Sequence, residues 1–304
     1  MRASIDIGSN SILLLISSYK NDSFEVFADF SAITSLGKDL DKNKEFHSVS
    51  IKDSMDAFKK YAKELKKYDI RPQDCICTAT EASRVASNSG EFFAKVKKKF
   101  GFEIKTISPL GEAYYTAKGV ISGKKLSESK VVIMDIGGAS TELILVDTKS
   151  SQVEKVISFP VGSVRATDWI DSGSFDNRLE KIWEEFPSDE FKTDQIICVA
   201  GTMVSLAAIM NGLNEFDAEK ISSKEVLMSE YETFLEQIFS LGPDKILEDY
   251  PFIGKRSASL QGGGRVSLEV MKKIGVKHLQ FSTRGLRFGT LADYFFNLRR
   301  FCIY

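Results

Sequence analysis

The sequence predicts an α/β protein of two similar domains, and two observations carry that expectation. The first is a strand–turn–strand stretch: Val131–Met134, then Asp135-Ile136-Gly137-Gly138-Ala139-Ser140-Thr141-Glu142, then Leu143–Val146. The second is the same chemistry near the start, Ser4-Ile5-Asp6-Ile7-Gly8-Ser9-Asn10-Ser11 followed by the apolar run Ile12–Ile16. One such hairpin per half suggests two domains facing each other across an interdomain cleft, with phosphate held between them. A chain of 304 residues has the length for two domains of ordinary size.

Val131-Val132-Ile133-Met134 is β-branched and apolar, as a buried strand requires. A turn rich in glycine lets the backbone approach an anion closely, and successive N–H groups there form a nest for phosphate oxygens. Ser140 and Thr141 add hydroxyl donors. Acids beside a phosphate repel it unless a divalent cation lies between, so Asp135 and Glu142 point to Mg²⁺ or the related Mn²⁺. Taken singly, such a motif reads more readily as an ordinary tight hairpin with polar capping residues. The duplication makes the phosphate reading specific.

Composition removes several function classes. Hydrophobic residues make up 43% and charged residues 27%, as in a folded globular protein. A net charge of −1 supplies no global basic field for nucleic acid or anionic lipid, so neither nucleic acid nor membrane is an expected partner. Cys75, Cys77, Cys198 and Cys302 lack Cys-x-x-Cys spacing and read as buried free thiols in a reducing compartment. With only His47 and His278, a zinc site or a Ser–His triad is not expected. Asp6 and Ser9-Asn10-Ser11 interrupt any signal-peptide core, and Ile12–Ile16 is too short to span a bilayer. The expected location is the cytoplasm.

Phe24–Ala28 alternates as a third strand after a turn at Asn21-Asp22, and three consecutive antiparallel strands fit a ribonuclease H-like half. Ser50 is placed to cap a helix with Ile51, Met55, Phe58, Ala62 and Leu65 along one stripe. Its lysines, Lys59, Lys60, Lys63, Lys66 and Lys67, fall mostly off that stripe and read as a solvated face. Cys75–Thr78 forms a strand ending in Thr80–Arg84. Arg84 sits where crevice ligands bind, and can hold phosphate bidentately or simply start the next helix at the surface. The lysines of 95–99 close a helix, where positive charge suits the macrodipole. After the strand Ile104–Ser108, Glu112 opens a helix either as a capping charge or as a catalytic base.

Gly123, Lys124, Lys125 and the polar stretch to Lys130 mark the boundary. Domains over 1–124 and 125–284 follow, the first completed by a helix over 285–304. In the second, Val153–Phe159 is a strand, and Gly162-Ser163-Val164-Arg165 leads into a helix as a third candidate phosphate contact through Arg165. Gln195–Ala200 is a strand closed by Gly201-Thr202 before an apolar helix over Met203–Met210. That junction can bind an anion, though many such turns hold none. Thr233–Phe239 is amphipathic, Gly262-Gly263-Gly264 opens a helix, and Leu279–Ser282 is the last strand. Gly285-Leu286-Arg287 starts the final helix, with Leu291, Tyr294, Phe295 and Leu298 along one side, expected to pack on the first domain. Phe295, Phe296 and Phe301 suit either the core or a homodimer contact.

These ordered motifs resemble the exopolyphosphatase / guanosine pentaphosphate phosphohydrolase family of the actin–hexokinase–heat-shock ATPase superfold, in its short two-domain form. The resemblance rests on Asp6 to Ser11, Thr80–Arg84, Gly111-Glu112-Ala113, Asp135 to Glu142, Gly162 to Arg165, Ala200-Gly201-Thr202 and Gly285-Leu286-Arg287. It implies Glu112 as the glutamate that activates water, with Asp135 and Glu142 placing Mg²⁺ and water, and Asp6 as the first-domain acid. It implies phosphate cradles at Gly8, Ser9, Asn10, Ser11, Gly137, Gly138, Ala139, Ser140 and Thr141, with Arg84 as the phosphate-binding arginine. Several positions depart from the pattern: Ala139 for the usual glycine, Leu13 for a basic residue, and Ala258 for the aspartate of an Arg-Ala-Asp segment whose closing proline is also absent.

The expected activity is Mg²⁺-dependent release of terminal phosphate from inorganic polyphosphate, or from guanosine pentaphosphate to give tetraphosphate. Two rivals compete with it: a non-catalytic polyphosphate or alarmone sensor, and a small-molecule kinase of the same superfold.

Overall fold

The computed structural model describes residues 1–20, 23–122, 126 and 128–296. Described residues within Met1–Lys125 and Arg284–Tyr304 form one compact unit, and those within Leu126–Thr283 a second. The expected turn at Asn21-Asp22, the boundary residues Gly123, Lys124, Lys125 and Ser127, and Leu298, Phe301 and Cys302 lie outside the described residues.

The first unit has a sheet of β1 (Arg2–Ile7), β2 (Ser11–Lys20), β3 (Ser23–Ile33), β4 (Ile76–Ala79) and β5 (Ile104–Thr106), ordered β3-β2-β1-β4-β5. The first three strands are antiparallel, and β4 and β5 run parallel to β1. Its helices are α1 (Leu40–Asn43), α2 (Ser48–Lys67), α3 (Glu81–Val85), α4 (Ser89–Phe100) and α5 (Pro109–Ile121).

The second unit repeats this order. Its strands are β6 (Lys130–Ile136), β7 (Thr141–Asp147), β8 (Gln152–Phe159), β9 (Gln195–Val199), β10 (Glu225–Leu227) and β11 (His278–Phe281), ordered β10-β11-β9-β6-β7-β8. Again three antiparallel strands are followed by two parallel ones, β9 and β11, with β10 added at the edge. Its helices are α6 (Ser163–Asp171), α7 (Phe175–Glu185), α8 (Ala200–Met210), α9 (Ala218–Ser222), α10 (Met228–Ser240), α11 (Pro243–Asp249) and α12 (Ser257–Ile274). Both units therefore have the ribonuclease H-like topology, and the sequence had missed the three-residue β10, which is too short to show a period.

Each unit has its own core. In the first, Ile5, Ile7, Ile12 and Leu14 pack against Phe58, Tyr61, Leu65 and Phe92. In the second, Val132, Met134, Ile196 and Cys198 meet Met203, Leu206, Leu260 and Val270. Burial raises the Cys75 and Cys198 thiols above their ordinary range, which leaves them inert as nucleophiles.

Helix α2 corrects the expected cap. His47 is the N-cap, its Nδ1 accepting from the Val49 amide at 3.3 Å, while Ser50 lies inside the helix and donates to the Ser35 carbonyl at 2.8 Å. The buried face is Ser50, Ser54, Ala57, Phe58, Tyr61 and Leu65; it includes Phe58 and Leu65 of the expected stripe and leaves Ile51, Met55 and Ala62 half-buried at its edge. Hydroxyls make that face tolerable: Ser54 donates to the Ser50 carbonyl and Tyr61 to that of Ile12, each at 2.7 Å. The five lysines are all exposed.

The three glycines expected to open a helix lie inside α12 instead. Successive helical residues point about 100° apart, so each meets a different neighbour. A side chain at Gly262 would overlap Thr167, one at Gly263 Thr202, and one at Gly264 would crowd Leu235 and Phe239. Glycine here allows close helix crossings, which outweighs its low helix propensity.

The last described helix, α13 (Leu286–Phe295), belongs to the first unit and packs on α5 and β1. Ser4 and Thr290 share a buried hydroxyl–hydroxyl bond of 2.7 Å, Lys118 pairs with Asp293 at 2.5 Å, and Arg287 pairs with Asp29. The crossing is glycine-dependent, since a side chain at Gly289 would overlap the Tyr115 carbonyl. Gly289→Ala is expected to cost about 3 kcal/mol or more in urea unfolding, as forced overpacking does at its upper end. Gly90→Ala on α4, where an added Cβ meets nothing, should instead gain about 0.5–1 kcal/mol.

Candidate functional site

In the first unit the β1–β2 hairpin carries the expected cradle. Its loop is closed by the Gly8 amide donating to the Ser11 carbonyl at 3.0 Å. The Asn10 carbonyl accepts from Thr34 and Ser35 at 3.0 Å each, and the Ser9 carbonyl from Gly37 at 2.7 Å. The loop's carbonyls are thus turned onto the segment after β3. The amides of Ser9 and Asn10 donate to no backbone acceptor among the described residues. Asp6 stands on β1 directly across from Leu13 on β2.

Arg84 and Glu112 are brought together. Arg84 lies on α3 just past the end of β4, and Glu112 on the first turn of α5. Nη1 and Nη2 of Arg84 each donate to Glu112 Oε2 at 3.2 Å, and Nη1 also to the Ile107 carbonyl at 2.7 Å. Both side chains are mostly buried, at 23% and 15% exposure. Ser108 caps α5, its Oγ accepting from the Gly111 amide at 3.1 Å, which fixes the turn that carries Glu112.

The second-unit loop is built the same way, with the Gly137 amide donating to the Ser140 carbonyl at 3.0 Å. Its carbonyls face the start of α6: Gly137 accepts from the Ser163 amide and Gly138 from that of Val164, both at 2.9 Å. The amides of Gly138, Ala139 and Ser140 donate to no backbone acceptor among the described residues. Gly162 has to be small, since a Cβ there would lie 2.6 Å from the Gly137 oxygen. Ala139 is not among the positive-φ residues, so its methyl strains no backbone.

Two expected donors are engaged within the loop. Arg165 Nη1 donates to the carbonyls of Ala139 at 2.5 Å and Pro160 at 2.8 Å, bracing the hairpin. Thr141, fully buried, donates to the Val161 carbonyl at 2.6 Å. Ser140 is buried at the loop's end.

Asp135 and Glu142 occupy directly opposed positions on β6 and β7, so their side chains share one face. Glu142 is 3% exposed, and its Oε1 accepts from Ser158 Oγ at 2.7 Å across to β8. Like charges directly opposite are destabilising unless something positive lies near. Among the described residues no three His, Cys, Asp or Glu side chains form a complete cage.

Gly201 and Thr202 open α8 beyond β9. The sequence reading missed what covers them. The Arg256 guanidinium lies against Gly201, with Nε 2.9 Å from where a Cβ would be, and Thr202 packs on Gly263. Ala200, just before, has φ 74°, a left-handed conformation strained for a residue with a side chain. The repeated Asp-Ile-Gly pattern could not point to Arg256, which stands far off in sequence in the Arg256-Ser257-Ala258 segment. A polar cavity of about 350 Å³ at the other end of this sheet is lined by Lys130, Gln195, Glu225 and His278. There the Glu225 carboxylate is already held by Gln195, Gln280 and His278.

The model of the Ppx/GppA phosphatase family matches residues 15–297. The chain belongs to that family. Over 253 residues it is 35% identical to a bifunctional 3-dehydroquinate synthase/phosphatase of Fusobacterium nucleatum, covering 74% of this chain and 37% of that protein. Over 177 residues it is 30% identical to the guanosine-5'-triphosphate,3'-diphosphate pyrophosphatase of Vibrio cholerae, covering 58% of this chain and 34% of that one. The chain spans about a third of the length of these curated relatives.

Among solved structures, the Aquifex aeolicus Ppx/GppA family member superposes with TM-score 0.79 at 25% identity, over 98% of each chain. A Cytophaga hutchinsonii exopolyphosphatase gives TM-score 0.84 over 97% of each chain, and at 22% identity this bears on the fold alone. The predicted fold class is confirmed: two α/β domains of the actin–hexokinase–heat-shock ATPase type. No described helix is long and apolar enough to cross a membrane.

Ser108→Ala should cost about 1 kcal/mol through loss of the α5 cap, with Ser108→Asp, another good cap, retaining most of it. Urea unfolding of both variants checks this, and equal stability of Ser108→Ala and wild type would refute the capping role.

Proposed function

We propose that this family phosphatase is a Mg²⁺-dependent phosphohydrolase releasing terminal phosphate from inorganic polyphosphate, guanosine pentaphosphate, or both. The observation that supports it most is the pair of hairpins, each closed by a glycine-to-serine backbone bond, with the next amides donating to no backbone acceptor among the described residues. Such amides are ready donors to phosphate oxygens. The names of the curated relatives, a phosphatase and a guanosine pentaphosphate pyrophosphatase, agree with this chemistry.

The acids on β6 and β7 suit a hard divalent cation. Asp135 and Glu142 present oxygen donors side by side on one face, with Ser158 orienting the second. Two protein carboxylates with the remaining positions left to water and phosphate is how Mg²⁺ is commonly held. When bound, the ion supplies charge neutralisation on the phosphoryl group being transferred. Asp6 is the corresponding first-unit acid, and Leu13 opposite it offers no second ligand.

Glu112 serves as the base. Its carboxylate takes a proton from water as the water oxygen bonds to the terminal phosphorus and the bridging P–O bond breaks, the shortened chain leaving with its oxygen. Arg84 and the amides of Ser9, Asn10, Gly138, Ala139 and Ser140 hold phosphate oxygens, and Gly201 and Thr202 offer a further contact at the α8 N-terminus. Gly8, Ser11, Gly137, Thr141 and Arg165 shape the loops. The chemistry depends on position and charge more than on covalent participation.

The experiment is phosphate release by the purified protein with Mg²⁺, comparing long-chain polyphosphate with guanosine pentaphosphate. Glu112→Ala should lower turnover by about a hundredfold or more while retaining substrate binding. Near-normal turnover in that variant would remove Glu112 as the base. Asp135→Asn should raise the Mg²⁺ concentration for half-maximal rate several-fold, and an unchanged titration would contradict its role. Tight binding of either substrate without release would favour the sensor.

A further inference from the structure

We infer that Arg84 and Glu112 form an exchangeable latch, in which a phosphate displaces the Glu112 carboxylate from the guanidinium and so frees the base only when substrate is present. The inference rests on the site reading above and adds a coupling that the reading does not require. Two groups proposed for separate tasks, one cationic toward phosphate and one basic toward water, are instead engaged with each other.

The geometry favours exchange. Both guanidinium nitrogens converge on one oxygen, Oε2, at 3.2 Å each, rather than making two parallel bonds to two oxygens. Short parallel bidentate bonds are the strong form of this pairing, so the observed form is the weaker one. The bond to the Ile107 carbonyl is shorter, 2.7 Å, and comes from the same Nη1. Ile107 therefore holds the guanidinium in place while its other partner changes. The Ser108 cap fixes the helix turn that carries Glu112, so its carboxylate can change partner by side-chain rotation with the backbone held. A phosphate oxyanion with more charge and more acceptor oxygens than a carboxylate is the better partner for this fork.

The pair also explains how two mostly buried charges coexist before substrate arrives. Leaving a charge uncompensated at that burial is costly, and the pairing of the two offsets part of that cost until a third charge enters. Substrate restores the balance, because its phosphate takes over the role of the carboxylate.

Calorimetric titration with inorganic phosphate at fixed ionic strength tests the latch without turnover. If the carboxylate competes for Arg84, Glu112→Gln should bind phosphate about tenfold more tightly than wild type, about 1.4 kcal/mol. In an Arg84→Gln background the same Glu112→Gln change should alter affinity by less than about threefold, the difference being the coupling between the two residues. Circular dichroism of all four proteins verifies that they are folded. Phosphate binding in Glu112→Gln that is equal, weaker or absent would overturn the latch. Equal tightening with and without Arg84 would overturn it too, since that is general relief of negative charge. The proposed hydrolase is judged separately by phosphate release: coupling without release leaves the latch and removes the hydrolase, and release without coupling does the reverse.

Discussion

The bond from a glycine amide to the serine carbonyl three residues on, made at Gly137 and again at Gly8, is the constraint on which the surrounding structure depends. It closes each hairpin with carbonyls facing one way and amides left over. In the second unit those carbonyls satisfy the first N–H groups of α6, which need acceptors from outside the helix. That contact draws α6 so near that residue 162 must lack a side chain, and α12 then crosses α6 closely through Gly262. At its N-terminal end α12 carries Arg256, which settles on Gly201. A single backbone closure thus propagates through three helices to a cation above the next strand–helix junction.

The two units use the same frame unequally. Their hairpins share the closing glycine-to-serine bond and the strand register, yet the position across from the acid is Leu13 in one and Glu142 in the other. The first unit instead carries a charged pair on helices, Arg84 with Glu112. The repeated scaffold thus carries a carboxylate pair on strands in one unit and a cation–carboxylate pair on helices in the other.

Most of the fold was legible in the sequence, because strand and hairpin signals are local. Asp-Ile-Gly beside β-branched runs marked β1, β2, β6 and β7 directly. What escaped was decided by tertiary contact. The glycines of α12 read as a helix opening by propensity, but neighbouring helices made them interior. Ser50 looked like a cap, but the helix is capped three residues earlier at His47, and the Ser50 hydroxyl instead meets the Ser35 carbonyl. At the site, the residue types were visible, and their partners were not. Arg165 on α6 presents its guanidinium to the Ala139 carbonyl of the β6–β7 hairpin, Thr141 gives its hydroxyl to Val161, and Arg84 is joined to Glu112, all across separations that no local pattern encodes.

The packing of α13 against β1 and α5 bears on how the chain is made. During synthesis every residue of the second unit has emerged before α13 exists, whereas the first unit still lacks the helix that buries Leu15 and Phe24 against Phe288 and Leu291. The order of emergence is therefore the reverse of the order of completion. For that interval the face of β1 and β2 that awaits α13 is apolar and uncovered, the condition under which nascent chains recruit holding chaperones or misassociate.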